Sequence, residues 1–225
     1  MNRRAFSPSV SLWLLIGLAC LALPGRPLAQ EPRYQGRTFA EWQGDLGDQS
    51  QVVRQRAVYA LAHVGPVAVR PLISRLRDVS VQVRQMAAWA LGNMGPAAKD
   101  AVPALGRALE DLDVHVRQTA AWALGEIGPA SKDVVPELIR AVRDSNHVVR
   151  ANAAQALGAI GPAAKDASLV LAQALYVAHS YLWGNVSNAL KAIGPAAIDE
   201  LRRELESDPE LQPVVEQAIQ VIETR

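Results

Sequence analysis

This chain contains little cysteine and few large aromatic residues, and neither sign of charge is in clear excess. The single cysteine, Cys20, lies in an apolar stretch near the N-terminus. The rest of the chain can therefore form neither a disulfide nor a cysteine-based metal site. Phenylalanine occurs only twice, although half of the residues are hydrophobic. A core with so few rings must consist mainly of Ala, Leu and Val, which favours closely packed helices.

The charge is nearly balanced, with 23 basic and 22 acidic residues, and 20 against 22 without the first 29 residues. Affinity for DNA or RNA depends on a basic excess that neutralises phosphates, so we expect no nucleic-acid partner. The motifs GxSxG and HExxH, a glycine-rich phosphate loop and a Cys-His nucleophile site are also absent from the sequence. We therefore expect no catalytic residues and no cofactor.

Residues 1–29 have the pattern of a bacterial export signal. Arg3 and Arg4 give a positive start, and the apolar run from Val10 to Leu23 follows. This run is shorter than the roughly 20 residues that a membrane-spanning helix needs. We expect cleavage after Ala29 and a periplasmic or secreted protein without a stable membrane span. The alternatives are an uncleaved anchor, lipidation at Cys20, and export by a twin-arginine route, whose signal Arg3 and Arg4 partly match.

One phrase returns three times with small changes, so the chain is a tandem array. Its copies are VRQMAAWALGNMGPAAKDAVPAL from Val83, VRQTAAWALGEIGPASKDVVPEL from Val116 and VRANAAQALGAIGPAAKDASLVL from Val149. A Gly-Pro pair recurs at residues 65, 95, 128, 161 and 194, with spacings of 30, 33, 33 and 33. The array predicts units of about 38–65, 66–95, 96–128, 129–161, 162–194 and 195–225, after a short linker at 30–37.

Each unit is predicted to contain two helices. Apolar residues at helical spacing form one stripe, namely Val83, Ala87, Ala90, Leu91 and Met94. The Gly-Pro pair ends the second helix of each unit, because glycine tolerates a positive φ and proline cannot continue the helix. We expect Asp100, Asp133 and Asp166 to cap the first helices, whose first turns hold Pro103 and Pro136. We expect Asp111 and Asp144 to cap second helices.

The helix pairs, an Asp six residues before an Arg, and the phrase VRxxAAxALGxxGPAA resemble the short HEAT repeats of the phycobilisome-lyase-like class. The resemblance covers most of the chain. It implies an all-α, armadillo-like fold, an α-solenoid of about six antiparallel helix pairs. The last units depart from the pattern as capping repeats do, since Val177, Trp183 and Val214 replace the expected charged residues. Phe39 and Trp42 are expected to pack at the first cap.

The repeated charges are predicted to tie neighbouring units together. Each Arg lies on the flank of its helix that faces the next unit, where a bidentate contact to a carboxylate is natural. The predicted ladder consists of Asp48, Arg54, Asp78, Arg84, Asp111, Arg117, Asp144 and Arg150.

Five residues after each Arg, a row of side chains lies opposite the apolar stripe. We call it the outward row; its members are Tyr59, Trp89, Trp122, Gln155 and Asn188. Resemblance to HEAT arrays places it on their concave face, where aromatic side chains with amides beside them are typical of protein-binding grooves. The predicted partner-binding residues are Tyr59, Trp89, Trp122, Gln85, Gln118, Asn93 and Glu126. The alternative is that each Trp lies flat in the seam between adjacent helices.

Two functions follow from these patterns. The first is a non-catalytic scaffold of the cell envelope that binds a peptide or a partner protein. The second is a HEAT-repeat enzyme similar to bilin lyases or to the di-iron deoxyhypusine hydroxylases, whose substrates are cytoplasmic. Val or Ser, and not the Glu of those hydroxylases, follows each of His63, His115, His147 and His179. We therefore expect no metal site. The sequence leaves the oligomeric state open.

Overall fold

The structure, a computed structural model, describes residues 33–177 and 181–224, without the side chains of residues 177 and 181. The predicted leader, with Cys20 and the cleavage after Ala29, lies outside these residues, as does His179. The described part contains the strands β1 (Arg33–Tyr34) and β2 (Arg37–Thr38) and twelve α-helices. These are α1 Phe39–Asp45, α2 Gln51–Val64, α3 Val69–Arg75, α4 Val81–Asn93, α5 Val102–Ala108, α6 Val114–Ile127, α7 Val135–Ala141, α8 His147–Ile160, α9 Ser168–Val177, α10 Tyr181–Ile193, α11 Pro195–Ser207 and α12 Gln212–Glu223.

The helices form six successive pairs, from α1 with α2 to α11 with α12, so the predicted α-solenoid of antiparallel helix pairs is confirmed. The second helices α2, α4, α6, α8 and α10 pack directly on one another along the array. One leucine recurs fully buried at the same place in each of them, as Leu61, Leu91, Leu124, Leu157 and Leu190. The apolar stripe predicted from the helical spacing thus forms one continuous core.

The Gly-Pro pairs end the second helices as predicted. The five glycines have φ between 54° and 104°, a region that other residues rarely adopt. The helices α5, α7 and α9 begin later than expected, however, because a 3₁₀ segment comes first, whereas α11 begins directly after Gly194. The seven-residue segments Gly95–Ala101, Gly128–Val134 and Gly161–Ala167 lead directly into α5, α7 and α9.

The predicted helix caps are wrong for this reason. Asp100, Asp133 and Asp166 lie within the 3₁₀ segments. The positions before α5 and α7 are Ala101 and Val134, which make no side-chain cap. A 3₁₀ segment that runs into an α-helix already bonds the N–H groups that a cap would satisfy. Pro103 and Pro136 do lie in the first turns.

The second helices are capped by other residues than expected. Asp113 caps α6 and Asn146 caps α8, each accepting hydrogen bonds from two backbone N–H groups. Asp111 and Asp144 stand two residues earlier, where their carboxylates accept instead from the N–H groups of Asp113 and Asn146.

The predicted linker is a β-hairpin from Arg33 onward. Its central residues Gln35 and Gly36 both have positive φ, 50° and 79°, as a tight hairpin turn requires. Thr38 ends the hairpin and caps α1, forming a capping box with Glu41.

The hairpin is tied to α1 through Trp42, which is 3% exposed. The indole Nε1–H of Trp42 donates to the carbonyl oxygen of Tyr34 at 3.0 Å. The guanidinium of Arg37 lies 4.0 Å from the centre of the Trp42 ring. Phe39 packs against the core while partly exposed. The first cap therefore consists of the hairpin and α1 together.

Glycines set the spacing between second helices. Gly92, Gly125 and Gly158 recur in α4, α6 and α8, each facing an alanine of the next second helix. A Cβ on Gly92 would lie 3.0 Å from the Cα of Ala123, and one on Gly158 would lie 3.0 Å from the Cα of Ala189. The second helices therefore approach one another too closely for a side chain at Gly92 and Gly158, whereas a Cβ on Gly125 would make an ordinary contact with Ala156 at 3.4 Å.

Candidate functional site

Three Arg–Asp pairs join four successive units. They are Arg54–Asp78, Arg84–Asp111 and Arg117–Asp144, and in each the guanidinium Nε and Nη2 donate to the two carboxylate oxygens at 2.7 to 3.2 Å. The remaining nitrogen, Nη1, turns back to the start of its own helix. In Arg84 it donates to the carbonyl of Asp78 at 3.0 Å. Each arginine thus holds its own turn and the turn of the next unit.

The carboxylates of these pairs are mostly buried and ionised. Side-chain exposure is 3% for Asp78, 13% for Asp111 and 12% for Asp144. Burial raises the pKa of each carboxyl, but hydrogen bonds from the arginine and from a backbone N–H two residues later outweigh it. The pKa of each therefore lies below its ordinary value.

The first acid and the last arginine of the ladder are not part of these three pairs. Asp48 begins it, and the carboxylate accepts from the N–H of Ser50 at 2.7 Å. Arg150 ends it; its Nη1 donates to the carbonyl oxygens of Asp144 and Ser145 at 2.9 and 3.0 Å. Within residues 33–177 and 181–224, neither end has an ion-pair partner from a neighbouring unit. The eight predicted ladder residues therefore make three pairs.

On the outward row, Tyr59 and Trp89 are exposed by 43% and 39%. The ring of Tyr59 lies 4.5 Å from that of His63, and Tyr34 of the hairpin stacks on His63 at 4.9 Å. Tyr34 also meets Tyr59 edge to face at 6.4 Å. Tyr34 was not predicted for this surface, and His63 was expected beside the outward row but was not among the predicted binding residues. The sequence Gln35-Gly36 is typical of a tight turn, and a hairpin at this place brings Tyr34 back onto α2. This signal could have indicated that Tyr34 belongs to the surface.

Trp122 occupies a different position from Trp89. It is partly buried, and its Cζ3 atom lies 2.5 Å from the place of a Cβ on Gly92. The ring therefore fills the seam between α4 and α6. Trp122 therefore lies in the seam between adjacent second helices, as the alternative interpretation of the sequence had it. Trp89, one second helix earlier, is exposed to solvent.

The polar neighbours of the row also differ among themselves. Asn93 and Glu126 are exposed, and Gln85 is partly buried. The amide of Gln118 donates to Oδ1 of Asn146, the cap of α8, at 3.0 Å. Asn152 in turn donates to the carbonyl of Gln118. Gln118 therefore connects two units.

Farther along the row a groove opens between α8 and α10. It has a volume of about 370 Å³ and is lined by Gln155, Gly158, Ala159, Asn185, Asn188, Ala189 and Ala192. At the matching place between α4 and α6 the ring of Trp122 fills the space above Gly92. The shorter Asn188 leaves the corresponding space above Gly158 open. The sequence pattern did not predict this groove.

In the part of the chain that the structure describes, no three His, Cys, Asp or Glu side chains come together as a metal site would require. His63 belongs to the aromatic cluster described above. Of the helices in that part, none is both long enough and apolar enough to cross a membrane.

Known proteins share this architecture. A designed armadillo repeat protein in complex with the peptide (KR)4 has a TM-score of 0.59 at 18% identity, over 83% of this chain and all of the other. An engineered protein has a TM-score of 0.61 at 23% identity, over 83% and 96%. The complex of CpcE and CpcF of phycocyanin lyase from Nostoc sp. PCC7120 has a TM-score of 0.52 at 20% identity, over 67% and 96%.

At these identities the similarity concerns the fold alone. A comparison with curated protein sequences finds no match. The family model of HEAT repeats matches residues 45–111, 69–132 and 108–181, which together make up more than half of the chain. The chain therefore belongs to the HEAT-repeat family.

Proposed function

We propose that this protein is a non-catalytic scaffold that binds a peptide or a partner protein along the outward row of its second helices. The observation that carries the proposal is the exposure of Tyr59 and Trp89 on adjacent helices, 43% and 39%. Large aromatic side chains on a rigid surface are typical of binding hot spots, because they bury much area at little cost in side-chain entropy.

The charge of the row indicates what kind of segment it binds. The residues at and beside it are mostly aromatic or amide side chains, and Glu126 is the one carboxylate among the predicted binding residues. The designed armadillo protein shows that this type of array can hold a peptide, but its ligand is the strongly basic (KR)4. For this chain we expect a weakly charged segment with apolar side chains for the aromatic end and hydrogen-bonding groups for the groove beside Asn188.

We also propose that the scaffold acts in the cell envelope, as a periplasmic or secreted protein. The support is the leader pattern of residues 1–29, with its positive start and short apolar run. N-terminal sequencing of the protein recovered from an envelope fraction should then give a first residue of Gln30. A first residue of Met1 would contradict cleavage of the leader.

The binding surface can be tested with peptides selected from a displayed random library. We expect Trp89→Ala to weaken the selected peptides about tenfold to a hundredfold, as loss of a hot spot does. Its effect on stability should stay at about 1–2 kcal/mol, below the roughly 3–5 kcal/mol of a fully buried tryptophan, because Trp89 is 39% exposed. Affinity is measured by titration calorimetry and stability by urea denaturation.

The matched control is Leu112→Ala, which removes a fully exposed apolar side chain (100% exposed) in a turn away from the row. It should leave the affinity unchanged. Peptides that bind both variants as tightly as the wild type would contradict the outward row as the binding surface.

A further inference from the structure

The Arg–Asp ladder ends one carboxylate short, and we propose that Arg150 binds an Asp or Glu side chain of the partner protein in place of the missing rung. The inference rests on the proposed role as a scaffold but concerns another surface. Arg150 precedes the outward-row position Gln155 by five residues, which is about 140° around the helix and about 7.5 Å along its axis.

Arg150 is held by its turn in the same way as the arginines that are paired. Its Nη1 donates to the carbonyl oxygens of Asp144 and Ser145 at 2.9 and 3.0 Å. In Arg117 the same nitrogen donates to the carbonyl oxygens of Asp111 and Leu112 at 2.9 and 3.3 Å. Because the guanidinium is planar, fixing Nη1 also fixes the edge formed by Nε and Nη2.

That edge carries a carboxylate in every earlier rung. Arg117 donates through Nε and Nη2 to Asp144 at 2.8 and 3.2 Å. The position one repeat after Asp144 is Val177, which has no carboxylate. Among the described residues, none accepts a hydrogen bond from Nε or Nη2 of Arg150. A preorganised bidentate donor of this kind matches the geometry of a carboxylate and loses little side-chain entropy on binding.

Trp183 indicates which kind of residue lies next to the acidic residue in the partner. Trp183 stands one repeat after Arg150, where an arginine would continue the ladder, and it is 43% exposed. Beyond it lies a groove of about 290 Å³ between α10 and α12, lined in part by Ser187, Lys191 and Val221. An acidic residue followed by an apolar residue would thus place its carboxylate on Arg150 and its apolar side chain against the indole.

The test uses peptides selected on the full chain from a displayed random library. We expect an acidic residue beside an apolar one to be enriched. Exchange of that acid for its amide should weaken binding to the wild type about tenfold, while binding to Arg150→Gln should not change further, as expected for two groups in direct contact. By the phase of the repeat, Val177→Asp adds a carboxylate at the position one repeat after Asp144, and it should weaken binding as much as Arg150→Gln does. If Val177→Asp does not fold, the comparison of wild type with Arg150→Gln is a sufficient test.

Selected peptides without an acidic preference would overturn the inference, as would an amide exchange that costs the same in wild type and Arg150→Gln. Peptides that lose affinity with Trp89→Ala but not with Arg150→Gln would support the scaffold and reject the Arg150 site. The reverse pattern would support Arg150 and reject the outward row.

Discussion

Gly92 lowers the helix propensity of α4 but allows α4 and α6 to pack closely. Glycine in a helix interior costs about 1 kcal/mol relative to alanine, yet α4 has Gly92 in its last turn. The Cζ3 atom of Trp122 and the Cα of Ala123 leave no room for a Cβ there. Overpacking costs about 1–3 kcal/mol, so we expect Gly92→Ala to lower the free energy of unfolding by about 1–2 kcal/mol in urea denaturation.

Gly184 provides the matched control within the same protein. It lies in α10, and a Cβ there would meet nothing within 4 Å. Gly184→Ala should therefore raise the free energy of unfolding by about 0.5–1 kcal/mol through helix propensity alone. A Gly92→Ala variant that gains stability like Gly184→Ala would show that the seam between α4 and α6 is not tightly packed.

At the scale of the helices, the ladder pairs are expected to couple units that also meet through apolar contacts and through a few other polar contacts, such as that of Gln118 with Asn146. Asp111→Asn removes the charge that accepts from Nε and Nη2 of Arg84 at 2.7 and 2.8 Å. Hydrogen bonds to charged groups contribute about 1.5–3 kcal/mol, so we expect Asp111→Asn to lower the free energy of unfolding by about 1–3 kcal/mol. Because coupling between neighbours makes repeat arrays cooperative, the urea transition should also broaden.

A variant of a nearby exposed ion pair serves as the control for the general effect of removing a charge. Glu110 and Arg140 pair at 3.0 Å with side-chain exposures of 66% and 58%. Such pairs contribute little in water, and Glu110→Gln should change the free energy of unfolding by less than about 0.5 kcal/mol. Equal losses for Glu110→Gln and Asp111→Asn would mean that the ladder has no special role in joining the units.

At the scale of the whole molecule, the repeated sequence motifs were enough to predict the helix pairs. Features that occur once or depend on the distance between units, such as the hairpin and the exposure of each tryptophan, were not predicted. Five Gly-Pro pairs at spacings of 30 to 33 residues are local signals, and they were enough to predict the six helix pairs. The hairpin at Gln35-Gly36 occurs once and had no second copy to support it.

The exposure of each tryptophan was not predictable from phase. Trp122 lies over Gly92, whereas the matching position in α2, one helix before Trp89, is Ala62. The space there is smaller by one methyl group. Whether a ring enters a seam thus depends on a residue some thirty positions earlier and on the separation of the helix axes, which no motif encodes.

The three ladder pairs together predict how the stability of the molecule depends on pH. The pKa values of Asp78, Asp111 and Asp144 are lowered in the folded state, where their arginines and backbone N–H groups outweigh the effect of burial. An unfolded Asp has a pKa of about 3.9. The stabilisation is therefore fully present above that value and is lost as the pH falls through the lower folded-state pKa values.

We expect the free energy of unfolding, measured with urea, to fall as the pH drops below about 4, with a slope set mainly by these three carboxylates. Glu41 and Asp45 at the first cap, whose pKa values are also lowered, act in the same direction. Asp111→Asn removes one titrating group, so its acid slope should be shallower although the variant is less stable at pH 7. Parallel slopes for wild type and variant would mean that Asp111 has the same proton affinity in the folded and unfolded chain, and that its pair with Arg84 contributes no pH-dependent stability.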